Sequence, residues 1–140
     1  MIRTNRMRFF DRTLELWSGF VIASVYCLKS EEESLIQFIQ SRHYPSRFHI
    51  LLYIVEDTEW SVSVYPMNVL RNEGIRRVKT THYLVLDMDE WIVGSLESEI
   101  ASIPSSIMKS ERVAIVIPLI MLNVNRITPY CCSFEECVKM

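Results

Sequence analysis

Glycine is nearly missing from this 140-residue chain. There are three, and none stands in the arrangement of a phosphate-binding loop or a dinucleotide fingerprint. Proline is scarce too, at five. With 49% apolar residues, that composition excludes a low-complexity or disordered chain and indicates an ordinary folded one. No apolar run is long enough to span a bilayer. The longest, residues 113–122, contains Pro118 and suits a core strand. The basic opening MIRTNRMRFF is not followed by the apolar region of a signal peptide; if the protein is secretory, its anchor or signal is missing from this chain. Neither sign of charge dominates. Fifteen Lys and Arg stand against 17 Asp and Glu, a formal net charge of -2. No global field draws the chain to nucleic acid or anionic lipid, and no nucleic-acid partner is expected. Cys27, Cys131, Cys132 and Cys137 lack the paired spacing of a zinc site, and they leave the redox compartment open.

What is present is an alternation of apolar runs and amphipathic stretches, the signature of an α/β domain. Residues 1–10 read as a basic N-terminal arm, 11–122 as the folded domain and 123–140 as a poorly patterned tail. A short helix is expected over 11–17. The near-continuous apolar run 20–26 predicts a strand covered on both faces, hence central and parallel. Ser30 with Glu33 reads as a capping box that opens a helix over 31–41, with Leu35, Ile36, Phe38 and Ile39 as its buried stripe. Residues 47–56 form a second apolar strand, which completes a right-handed βαβ unit. A short polar loop, 57–63, follows.

Pro66 suits the first turn of a helix over 67–79. Gly74 within it marks close packing against a neighbour. Residues 82–86 (HYLVL) predict a third strand. A helix follows over 96–103, with Ser95 as its N-cap, and then a fourth strand over 112–117.

The third strand would deliver Asp87 and Asp89 to the carboxyl edge of the sheet, where open α/β sheets bind ligands. Residues i and i+2 of a strand point the same way, so the two carboxylates can converge on one hard cation, Mn²⁺ or Mg²⁺. Such an ion would bridge the phosphate oxygens of a nucleotide diphosphate and take up leaving-group charge. Glu90 adds a further negative charge. Other readings remain: a solvated strand exit whose carboxylates cap the next helix, or phosphoryl transfer on a carboxylate-bound metal. Glycoside hydrolysis needs two carboxylates across a cleft, which this spacing does not provide. His43, His49 and His82 read as core or edge histidines rather than ligands.

The run YPMNVLRNEGIRRVKTTHYLVLDMD resembles the LARGE-like glycosyltransferases, in their β-1,4-glucuronyltransferase domain. The likeness rests on Tyr65-Pro66, Asn68, Leu70-Arg71-Asn72, Thr80 or Thr81, and Asp87-Met-Asp89. Trp17-Ser-Gly19 and 113–118 stand in the order of that family's flanking motifs. The resemblance implies a GT-A (Rossmann-like) nucleotide-sugar-binding fold with a mostly parallel sheet, incomplete here and covering 11–122. It implies a metal-dependent transferase that moves a sugar, glucuronate or xylose, from a UDP-sugar donor to a glycan or glycoprotein acceptor. Asp89 would be the principal Mn²⁺ ligand, with Asp87 on the donor ribose and the metal. Arg71 would hold the donor directly or pair with Asp87; its plain alternative is a surface or salt-bridged helix residue. Asn68 and Asn72 would assist the donor site by ordering the helix-to-strand packing. Catalytic residues are not assigned. The family's later half, with a histidine ligand and the acceptor site, has no counterpart after Leu122. A truncated, non-catalytic remnant acting as a structural or interaction module is therefore the alternative function. The resemblance further implies a Golgi membrane or lumenal location where an anchor is supplied elsewhere, and otherwise a cytoplasmic one.

Overall fold

The computed structural model describes residues 8–87, 90, 92 and 96–117. They form helix α1 (Arg8–Leu16), strand β1 (Val21–Leu28), a 3₁₀ turn (Lys29–Glu31), α2 (Glu32–Gln40), β2 (Phe48–Val55), α3 (Glu59–Ser63), α4 (Met67–Ile75), α5 (Leu96–Ser102) and α6 (Ser105–Met108). The chain divides into two compact units, 1–91 and 92–140.

The first unit is a small mixed α/β domain. Its β1 and β2 pair in parallel, from Val21 opposite Phe48 to Leu28 opposite Val55. This is the βαβ unit that two apolar runs around an amphipathic helix predict. Alternate side chains of β1 face opposite ways, and helices cover both faces. On one face Ala23, Val25 and Cys27 are buried with Leu35 of α2 and Phe48 of β2; Phe10 and Leu14 of α1 pack against them. On the other, Tyr26 and Leu28 are buried with Leu70 of α4, and Val55 packs alongside. Leu35 is nearly inaccessible, and truncating such a leucine to alanine costs about 2–5 kcal/mol.

Two close approaches explain two of the three glycines. A Cβ on Gly74 would lie 3.1 Å from Ser24 Oγ, so α4 rests directly on β1 there, as its sequence position suggests. A Cβ on Gly19 would lie 2.8 Å from Trp17 Nε1, so the indole folds closely over this residue and would have to shift to admit a side chain. Arg47 secures the same corner. Its Nη2 donates to the Leu14 carbonyl at 2.6 Å, and its Nη1 to the Gly19 carbonyl at 3.3 Å. One side chain thus satisfies a carbonyl left open at the end of α1 and ties the linker to the start of β2.

Several expectations fail for identifiable reasons. Ser30 does not cap α2: the N-cap is Glu31, with no side-chain cap bond, and Ser30 lies in the 3₁₀ turn with its hydroxyl on Asp57. The segment expected as a polar loop contains α3, started by a reciprocal capping box. Thr58 Oγ1 accepts from the Ser61 N–H at 3.0 Å, and Ser61 Oγ accepts from the Thr58 N–H at 2.8 Å. Helix α4 ends at Ile75, not residue 79. Tighter i→i+3 bonds, from the amides of Arg77 and Val78 to the carbonyls of Gly74 and Ile75, close it just after the weak helix former Gly74.

The larger correction concerns the sheet. Among the described residues it has two strands. Residues 82–86 are outside it, with Tyr83, Leu84, Val85 and Leu86 all exposed. Residues 113–117 of the second unit are likewise without strand structure, and Val116 is 85% exposed. An apolar run signals burial, but it becomes a strand only when a neighbour supplies backbone partners. Of the incomplete, mostly parallel sheet expected from the resemblance, the described residues build the coarser part, a small mixed α/β domain on two parallel strands. In the second unit, α5 occupies most of the expected 96–103 helix, and α6 after Pro104 was not expected. The Ser95 N-cap and the tail 123–140 lie outside the described residues.

Candidate functional site

Leu70 sets the position of the candidate site. It is buried with Tyr26 and Leu28, beside Val55, at the carboxyl ends of both strands. The next residue, Arg71, is carried to the border between the packed side of α4 and solvent. Its Nη2 donates to Asp87 Oδ1 at 2.6 Å. Both side chains are partly open, at 38% and 41% exposure. The hydrogen bond and charge of Asp87, followed by the charges of Glu90 and Tyr65, raise the Arg71 guanidinium still further above its ordinary range. It is a permanent cation in this setting.

Glu90 shapes the backbone on which Asp87 stands. Its amide donates to the Asp87 carbonyl at 3.0 Å, and its carboxylate accepts from the Asp87 amide at 2.8 Å. These two bonds tie Asp87 and Glu90 to one another. Arg71 Nε is buried and has no acceptor among the described residues. An aromatic group flanks this region. Tyr65 meets Tyr26 edge-on at 5.8 Å, Tyr26 stacks on Tyr53 at 6.2 Å, and the Tyr26 hydroxyl donates to the Ser61 carbonyl at 2.8 Å.

Among the expected site residues, the fold joins Arg71 to Asp87. Asn68 and Asn72 are exposed on α4, one turn apart, whereas Leu70 and Gly74 make the contact with β1. They do not order the helix-to-strand packing. Asp89 lies outside the described residues.

The expected Mn²⁺ or Mg²⁺ does not fit this site. Among the described residues no group of three or more His, Cys, Asp or Glu side chains could hold a metal ion. Asp87 is engaged by a cation of the protein itself, and a guanidinium at 2.6 Å competes for the oxygen that a hard metal would need. His43, His49 and His82 are all exposed; His49 stacks on Phe20, and His82 Nδ1 meets Thr81 Oγ1 at 3.0 Å.

A recess of about 60 Å³ lies beside α4, lined by Ser24, Leu52, Tyr53, Leu70, Glu73 and Arg77 among others. Ligand pockets run to about 300–1,000 Å³, so this one does not hold a nucleotide. Glu73 there accepts from both Arg76 and Arg77, and the Arg77 bond is the chief cause of its depressed carboxylate pKa.

A second polar pair was not foreseen. The Ser30 amide donates to Asp57 Oδ2 at 2.9 Å and the Ser30 hydroxyl to Oδ1 at 2.7 Å, just past the ends of β1 and β2. The serine read as a cap was the available signal, because a short polar residue at a strand exit serves either partner.

No family model matches the chain, and no curated protein or solved structure matches it either. The expected manganese site is overturned: the described residues hold no group of three or more His, Cys, Asp or Glu side chains able to bind the ion. No comparison supports a GT-A motif or a Golgi membrane placement, and none of the described helices is long and apolar enough to cross a membrane.

Proposed function

We propose that the chain is a Rossmann-like donor-binding unit of a glycosyltransferase, taking a UDP-sugar as donor and a glycan or glycoprotein hydroxyl as acceptor. The observation that carries this reading is the Arg71–Asp87 pair. It joins the helix and the acidic end of the Tyr65-to-Asp87 pattern that resembles the LARGE-like enzymes, and it stands beside Leu70 at the carboxyl ends of two parallel strands. Ligands of open α/β sheets bind at that edge. In this reading the Arg71 guanidinium supplies the positive charge for the donor diphosphate, for which its planar fork is suited. The Asp87 carboxylate accepts from the ribose hydroxyls. Calorimetry with UDP and the full chain, in a metal chelator, tests it. Binding that weakens at least about tenfold in Arg71→Ala is the expected outcome. UDP binding that this substitution leaves unchanged would sink the assignment.

A second reading, a non-catalytic interaction module, is favoured by the exposed apolar residues of 83–86 and 113–117, which lie outside the two-stranded sheet of the described residues. Sugar transfer from a UDP-sugar to a glycan by this chain would remove it.

A further inference from the structure

The Arg71–Asp87 contact has the features of a site closed by its own counter-ion. Arg71 meets Asp87 through a single nitrogen, Nη2, although a guanidinium carries five N–H donors. Its Nε is shut away from water with no acceptor among the described residues. A buried donor without a partner is unfavourable, so the paired arrangement leaves part of the guanidinium unsatisfied. The pair itself is about two-fifths exposed, and ion pairs this open are weak and easily exchanged. The backbone beneath Asp87 does not depend on Arg71. Glu90 holds it from both sides, through the Asp87 carbonyl and amide. The Asp87 side chain can therefore swing away while its amide and carbonyl stay bound to Glu90.

We propose that Arg71 is an anion-binding residue, and that a diphosphate group binds there by displacing the Asp87 carboxylate from the guanidinium. The incoming group brings more oxygens and more charge than one carboxylate, so it can engage guanidinium donors that Asp87 leaves idle. The released Asp87 carboxylate becomes an acceptor for neighbouring hydroxyls of the same ligand. Asp87 and Glu90 also set a threshold. Both place negative charge near Arg71, so they repel singly charged or weakly binding anions and admit those that make several charge-assisted bonds. This deepens the donor-site reading above and rests on it for the class of anion.

The test is calorimetric titration of the full-length chain with inorganic pyrophosphate, without divalent metal. Asp87→Asn removes the internal competitor and should tighten binding about tenfold, and Glu90→Gln should tighten it less. Arg71→Ala should abolish binding. Arg76→Ala, which removes a mostly exposed charge bound to Glu73, should leave it unchanged. In the wild-type chain, the Arg71 Nε–H resonance should move during the titration, a readout that needs no variant. The proposal is overturned if Asp87→Asn binds pyrophosphate no tighter than wild type, if Arg71→Ala binds it equally well, or if the Arg71 resonance stays still at saturation. The donor reading is separated by repeating the titration with UDP. Equal affinity for UDP and pyrophosphate, with the variant pattern intact, supports the exchange at Arg71 and removes the nucleotide reading.

Discussion

The Ser30 hydroxyl and amide both donate to the Asp57 carboxylate, at 2.7 and 2.9 Å, and so fasten the turn after β1 to the turn after β2. The two residues are 27 apart in sequence. A bidentate acceptor at that point holds the carboxyl ends of both strands in register and starts the chain toward α2 and α3.

Asp57→Ala is expected to lower stability by about 1 kcal/mol. Hydrogen bonds to charged groups contribute about 1.5–3 kcal/mol, and this pair is discounted because both residues are exposed. Ser30→Ala should lose less, because its amide still reaches the carboxylate. The double variant should lose no more than Asp57→Ala alone. Urea denaturation followed by circular dichroism measures all three, and additive losses would show that the two side chains act separately.

Gly74→Ala sets two effects against each other. Alanine in a helix interior gains about 1 kcal/mol over glycine. Here the new methyl would sit 3.1 Å from Ser24 Oγ, so part of that gain is lost in displacing the hydroxyl. The single variant should fall within about 0.5 kcal/mol of wild type. Gly74→Ala combined with Ser24→Ala should be more stable than Ser24→Ala alone by most of the helix gain. A clear loss in the double variant would mean that α4 is held off by backbone rather than by the serine.

Cys27 provides a pH dependence with a definite sign. Burial, followed by the negative charges of Glu31, Glu32 and Asp57, raises its thiol above the ordinary range, and its Sγ donates to the Leu28 carbonyl. The unfolded thiol loses its proton near about pH 8.5, whereas the folded one keeps it to higher pH. Above that point the folded state binds more protons than the unfolded state, so this contribution to stability declines as pH rises. It is fully present below about pH 8.5. The melting temperature of wild type should therefore drop more between pH 8 and pH 10 than that of Cys27→Ala. The same burial predicts that iodoacetamide leaves Cys27 unmodified at pH 8 until the chain is unfolded. Rapid alkylation of the folded protein at that residue would contradict the placement of β1.

Several features were legible because each needs only local pattern. Two apolar runs around an amphipathic helix imply a parallel βαβ unit, and β1 and β2 pair that way. A glycine inside a helical pattern implies close approach, and Gly74 lies against Ser24. The pairing of Arg71 with Asp87 was legible only through the family resemblance, as one of two options. Nothing in the spacing of 16 residues requires it. Arg47 offered no such signal, because its two carbonyl partners lie 28 and 33 residues away.

The sequence by itself determined which segments seek burial and which period they follow, because propensity and hydrophobic alternation act over a few residues. Tertiary structure decided what competes for each polar group and which apolar runs obtain a neighbour. Ser30 could cap a helix or bind Asp57, and the carboxylate won because two donors of one residue reach it together. Residues 20–26 and 82–86 carry similar apolar patterns. The first became the core of β1 because α1 and α2 cover one face and α4 the other; the second remained exposed because no strand pairs with it among the described residues. Asp87, read as half of a metal site, became the partner of Arg71, because a cation already fixed on α4 was within reach of its carboxylate.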